Sequence, residues 1–208
     1  MIKIFRRKIE YFFIIIFCIG MLGCISTSMM NAINSHYYKY SFAIRERNTR
    51  KTPATFSNNI FSINFTPKFI RVDYNITNLS GRLIRIDWDK AYLVVQNDSS
   101  KVITQDIEPR YADETPKPLE IAAEQSFQGN ITPIDYIKNS DSGWIVTEFY
   151  PSHDDSLAPK TDWIMGLIGV DIFKLYIPVI ANGETKIYKF TFYPDELEKS
   201  PVSQVPKK

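Results

Sequence analysis

Ile70-Arg71-Val72-Asp73-Tyr74-Asn75-Ile76-Thr77 alternates large apolar and polar residues along its whole length. A period of two puts successive side chains on opposite faces of a strand, so this stretch reads as a half-buried β-strand with a wet outer face. Asn78-Leu79-Ser80-Gly81 supplies turn residues, and Ile84, Ile86 and Trp88 repeat the inward pattern against Arg85, Asp87 and Asp89. Upstream, Phe61, Ile63 and Phe65 alternate with Ser62, Asn64 and Thr66, and Pro67 ends the run. Strands this closely spaced, each polar on one side, predict antiparallel sheets.

Downstream, Tyr92 to Gln96 and Lys101 to Thr104 read as strands around the turn Asn97-Asp98-Ser99-Ser100. Ser126 to Thr132 ends at Pro133, and Trp144 to Phe149 ends at Pro151. The clearest hairpin comes last: Phe173 to Ile180 and Thr185 to Tyr193 flank Asn182-Gly183, two residues that tolerate the positive φ of a tight primed turn. About eight strands and no long helix predict an all-β fold, an antiparallel β-sandwich over residues 60–193. The rhythm of Tyr74-Asn75-Ile76-Thr77-Asn78 followed by Ile84-Arg85-Ile86-Asp87-Trp88 resembles immunoglobulin-like domains of exported bacterial proteins, without the bridging cysteine pair of antibody domains. Residues 194–208 read as a charged, disordered tail.

The N-terminus has a different character. Lys3, Arg6, Arg7 and Lys8 precede an apolar run from Tyr11 to Leu22, the layout of a secretory signal. The run is shorter than the ~20 residues a spanning helix needs. Met21-Leu22-Gly23-Cys24 resembles the bacterial lipobox, and that resemblance implies cleavage after residue 23 and diacylation of Cys24. It further implies a membrane partner reached through the lipid. Ile25 stands where an inner-membrane retention signal would have Asp, which by the same resemblance leans towards the outer membrane. Residues 24–59 then read as the lipidated cysteine and a polar tether with a basic cluster at Arg45, Arg47, Arg50 and Lys51. Loss of the signal removes four of the 25 basic and one of the 23 acidic residues, leaving a net charge of −1. The basic balance of the whole chain therefore belongs to the export signal and is no argument for nucleic acid. Cys18 leaves with the signal, so the predicted fold stands on packing without disulfides.

Chemistry is sparse. His153 with Asp154 and Asp155 is the one place where imidazole and carboxylates cluster, and adjacent loop residues seldom converge on an ion without distant partners. The second histidine, His36, falls in the tether. Asp87 and Asp89 would share a sheet face, and Asp113 to Thr115 forms an acidic loop, but polar outer-face positions explain both. No serine-hydrolase, phosphate-loop or metalloprotease motif occurs. The reading is accordingly no catalytic residue, no metal and no cofactor. The Asn-x-Ser/Thr triplets at Asn75, Asn78, Asn97 and Asn130 are ascribed to chance in so Asn-rich a chain.

Trp163-Ile164-Met165-Gly166-Leu167-Ile168-Gly169-Val170 is apolar at consecutive positions. It reads either as a strand or short helix buried on all sides, or as an exposed loop whose Trp163, Met165 and Leu167 face an envelope partner. The functional expectation is a lipid-anchored, non-catalytic binding or assembly module. The alternatives are an envelope hydrolase using loop carboxylates and a purely structural lipoprotein.

Overall fold

The computed structural model describes residues 36–46, 49–51, 54–154 and 163–201. The expected signal peptide, Cys24, the first part of the expected tether, Asp155 and the last seven residues lie outside these. The chain divides into two compact units, one of residues 1–38, 153–161 and 199–208 and one of residues 39–152 and 162–198. In the smaller unit the described residues form one short ladder, with His36 opposite Asp154 and Tyr37 opposite His153.

The fold is all-β and antiparallel. In chain order the strands are β1 (His36–Glu46), β2 (Thr49–Lys51), β3 (Thr55–Ser57), β4 (Phe61–Lys68), β5 (Arg71–Asn78), β6 (Ile84–Ile86), β7 (Tyr92–Val95) and β8 (Asp98–Thr104). They continue with β9 (Leu119–Ile121), β10 (Ser126–Pro133), β11 (Ile137–Ser140), β12 (Gly143–Val146), β13 (His153–Asp154), β14 (Phe173–Ala181) and β15 (Glu184–Pro201).

Within the larger unit one layer runs β1-β15-β14-β7-β8 and the other β8-β10-β5-β4-β3. Strand β8 belongs to both: Asp98 to Lys101 pair with β7, and Val102 to Thr104 pair with β10. A strand that changes sheet in this way makes the corner of a sandwich. The orders β4-β5-β10-β8 and β7-β14-β15 are those of the A-B-E-D and C-F-G sheets of an immunoglobulin sandwich. The third strand of that scheme is split here into β6 and β7, both paired with β14, and Trp88 sits in the 3-10 turn between them.

The core follows from the alternation. Ile63, Phe65, Val72, Tyr74 and Ile76 of one layer and Leu93, Leu175, Ile177, Phe190 and Phe192 of the other are all buried. Their rings meet between the layers: Phe65 lies 4.9 Å from Phe190 and 5.2 Å from Phe192, and Trp88 lies 5.2 Å from Tyr74. Full burial of side chains of this size contributes about 1.5–3 kcal/mol each.

Two prolines expected to end strands do not. Strand β4 runs through Pro67 to Lys68, and β15 through Pro194 to Pro201. The β4–β5 loop has two residues, so Lys68–Arg71 closes the ladder and the nitrogen of Pro67 faces away from β5. Strand β3 reaches only Asn64, and a missing N–H costs nothing there. The tether and tail expectations are corrected for the same region. His36–Glu46 is a strand with Phe42 and Ile44 buried, and β15 extends into the predicted tail. Lys39 lies 3.6 Å from Glu198, and Arg45 lies over the Tyr193 ring, so the two segments pair with each other. A polar strand with half its face covered by a distant polar strand has too little apolar content to stand out locally.

Candidate functional site

The residues singled out from the sequence do not assemble into one site. Asp87 is not on a strand face: it precedes the 3-10 turn Trp88–Lys90 and accepts a 2.8 Å hydrogen bond from Lys90 Nζ. That bond and the carboxylate charge hold the Lys90 ammonium above the usual lysine range. Asp89 pairs separately with Lys101 at 3.8 Å. Asp113, Glu114 and Thr115 are exposed in a loop after the turn Pro109–Tyr111. His36 and His153 occupy diagonal positions of one ladder and therefore opposite faces of it. Among the described residues no three His, Cys, Asp or Glu side chains gather as a metal site, and no helix is long and apolar enough to cross a membrane.

The Trp163 to Val170 segment is a 3-10 turn, Trp163–Leu167, followed by surface chain. Ile164 is buried, Met165 and Leu167 are half-buried, and Ile168 and Val170 are exposed. A strand buried on both faces is thus ruled out for this stretch. One isoleucine anchors it, Gly169 takes a φ of +76°, and its N–H donates to the Pro194 carbonyl at 2.8 Å. The side chain of Trp163 lies outside the described set.

A different place combines shape with charge. A groove of about 670 Å³ runs beside the first half of β15, between the last residues of β1 and strand β3. Its apolar wall is Phe56, Tyr188 and Phe190, and its cations are Arg45, Lys174, Lys186 and Lys189. The tight turn fixes which backbone groups face it. Asn182 and Gly183 have φ of +54° and +80°, and Ala181 pairs with Glu184. A two-residue loop makes that closing pair hydrogen-bonded, so bonded pairs recur at every second residue. Thr185, Ile187 and Lys189 therefore turn their N–H and C=O away from β14. Strand β1 pairs with β15 around Tyr193 and beyond, so it does not cover them. Ile187 is 59 % exposed. The edge is open.

The charges along the groove are unbalanced. Arg45 is engaged by Asp171 at 3.6 Å and by the Gly169 carbonyl at 3.2 Å. Lys186 and Lys189 lie over the rings of Tyr188 and Tyr176, at 5.0 and 5.9 Å. Among the described residues neither of them, nor Lys174, has a carboxylate within salt-bridge distance. Among the described residues Asp171 is the sole carboxylate lining the groove, and it is committed to Arg45. The arrangement offers backbone hydrogen bonds, an apolar wall and three uncommitted cations. Such an arrangement can hold an extended anionic chain.

Sequence reasoning recognised the hairpin but missed the groove, because nothing local says that β1 stops short of the turn. The lysines were legible only as a polar outer face. Comparison of the chain with known protein families, with curated proteins and with solved structures yields no match in any of the three.

Proposed function

We propose that this chain is an exported lipoprotein, anchored through Cys24, whose sandwich is a non-catalytic binding module of the bacterial envelope. The anchor rests on the N-terminal sequence, in which a basic segment and a short apolar run lead to Leu22-Gly23-Cys24. The observation that carries the binding role is the groove beside β15, where an open strand edge, an apolar wall and uncommitted lysines coincide. An open edge is a template for another chain, and lysines along it disfavour a strand of like charge.

Replacing Cys24 with Ser tests the anchor. The expected product is an unprocessed or soluble exported species. A shortened chain that still fractionates with membranes overturns the lipobox reading, and co-sedimentation with inner-membrane markers removes the outer-membrane assignment. The binding role is tested by Ile187→Pro, which removes one outward N–H without touching the β14 ladder. It should release material co-purified with the anchored wild-type chain.

A further inference from the structure

We infer that the occupant of the groove is an extended acidic peptide segment, added to β15 as an antiparallel or parallel edge strand. This rests on the reading of the groove as the binding site and specifies its ligand. The outward N–H and C=O groups of Thr185, Ile187 and Lys189 recur every second residue, about 7 Å apart, the repeat of a neighbouring strand. A strand laid there has two unlike sides. One looks towards Phe56 and Phe190, which are buried at the groove wall, and takes apolar residues. The other shares the outer face with Lys189 and Lys174, and takes carboxylates. The segment that fits therefore alternates acidic and apolar residues.

Charge decides between occupants. A second copy of the chain, paired antiparallel through the outward groups of Ile187 in each copy, places the two Lys186 side chains diagonally across the new ladder and brings two sets of lysines to one seam. Like charges so placed repel. An acidic strand reverses that sign with the same backbone bonds.

The test uses the full chain in detergent micelles and a labelled synthetic peptide of alternating glutamate and valine. Its lysine–valine counterpart, the same acidic peptide N-methylated at its glutamates or at its valines, and inorganic polyphosphate serve as competitors. The acidic peptide should bind, and N-methylation at either its glutamates or its valines, whichever residues present their N–H groups to β15, should weaken it about tenfold or more because all of its ladder donors are then lost. Lys174→Glu with Lys189→Glu should shift preference to the lysine peptide. Ile187→Pro should weaken binding about tenfold with the melting temperature nearly unchanged, since proline is tolerated on an edge. Equal binding of the two peptides, indifference to N-methylation, or polyphosphate competing as well as the acidic peptide overturns strand addition. Edge-to-edge dimerisation lost in Ile187→Pro, without peptide binding, assigns the groove to a second copy instead. If the peptide fails to bind while Ile187→Pro still releases envelope material, the acidic-strand inference fails and the groove reading survives. If Ile187→Pro changes neither, both fail.

Discussion

The two outer faces of the sandwich obey the same alternation and carry opposite chemistry. On the β4-β5-β10 face, residues opposite one another form the rungs Ser62–Thr77–Ser126, Asn64–Asn75–Gln128 and Thr66–Asp73–Asn130. The last two rungs, with Arg71, line a shallow depression of about 500 Å³. On the β8-β7-β14-β15 face one rung reads Lys101–Tyr92–Tyr176–Lys189, and its two tyrosine rings stack at 4.5 Å. The first face is wet and neutral, so water serves it well. The second buries ring area beneath aliphatic lysine stems, which makes the outer side of that layer part of its stability. The difference lies in the rungs, because single strands from either layer look alike.

That contrast can be broken from the inside. Trp88→Ala should cost about 3–5 kcal/mol, because the indole spans from the split third strand to Tyr74 of the opposite layer. Denaturant unfolding measures it, and a neutral result would sink the sandwich core. Ionisation of Tyr74 should act in the same place. Burial, with a smaller contribution from Asp106, pushes its phenol above the ordinary tyrosine range. The unfolded phenol titrates near pH 10, so this contribution is fully present below about that pH and is lost as pH rises further. Melting temperature should fall above about pH 10, and more gently in Tyr74→Phe; identical profiles would remove Tyr74 as the cause.

Next in size is Gly129→Ala. A Cβ there would stand 2.6 Å from Tyr74 Oη and 2.9 Å from Phe127 Cε1, and overpacking of this kind costs about 1–3 kcal/mol. The smallest effects sharpen the outer-face comparison directly. Tyr176→Ala should cost about 0.5–1.5 kcal/mol through the lost stack, whereas Asn75→Ser should stay within about 0.5 kcal/mol. Equal losses at the two positions would erase the distinction.

The strands of residues 61–104 and the final hairpin were legible because each carries a strong alternation or a turn signal, and Asn182-Gly183 adopts the primed geometry expected. Trp88 is in the core as read. Other turns slipped: β8 starts at Asp98, so the loop is Gln96-Asn97, with Gln96 at φ +57°. Asn78, a turn residue by sequence, is also a buried hub, donating to the Arg82 and Ile121 carbonyls and accepting from Ser80. Trp144 was expected in a strand reaching Phe149, but β12 stops at Val146 and forms a separate hairpin with β11 that leaves Trp144 and Ile145 exposed. The candidate groove was beyond reach, since it depends on where β1 ends relative to β15. Local periodicity carries no information about that register.

The neighbour of β1 is β15, the last strand of the chain, with Arg45 resting on a ring almost 150 residues further on. Contacts of such sequence separation form slowly, because the intervening chain must first be ordered. One layer of the sandwich therefore waits for the C-terminus. Before β15 is made, β1 can pair with β2 and β13 but not with its long partner, so that layer closes last.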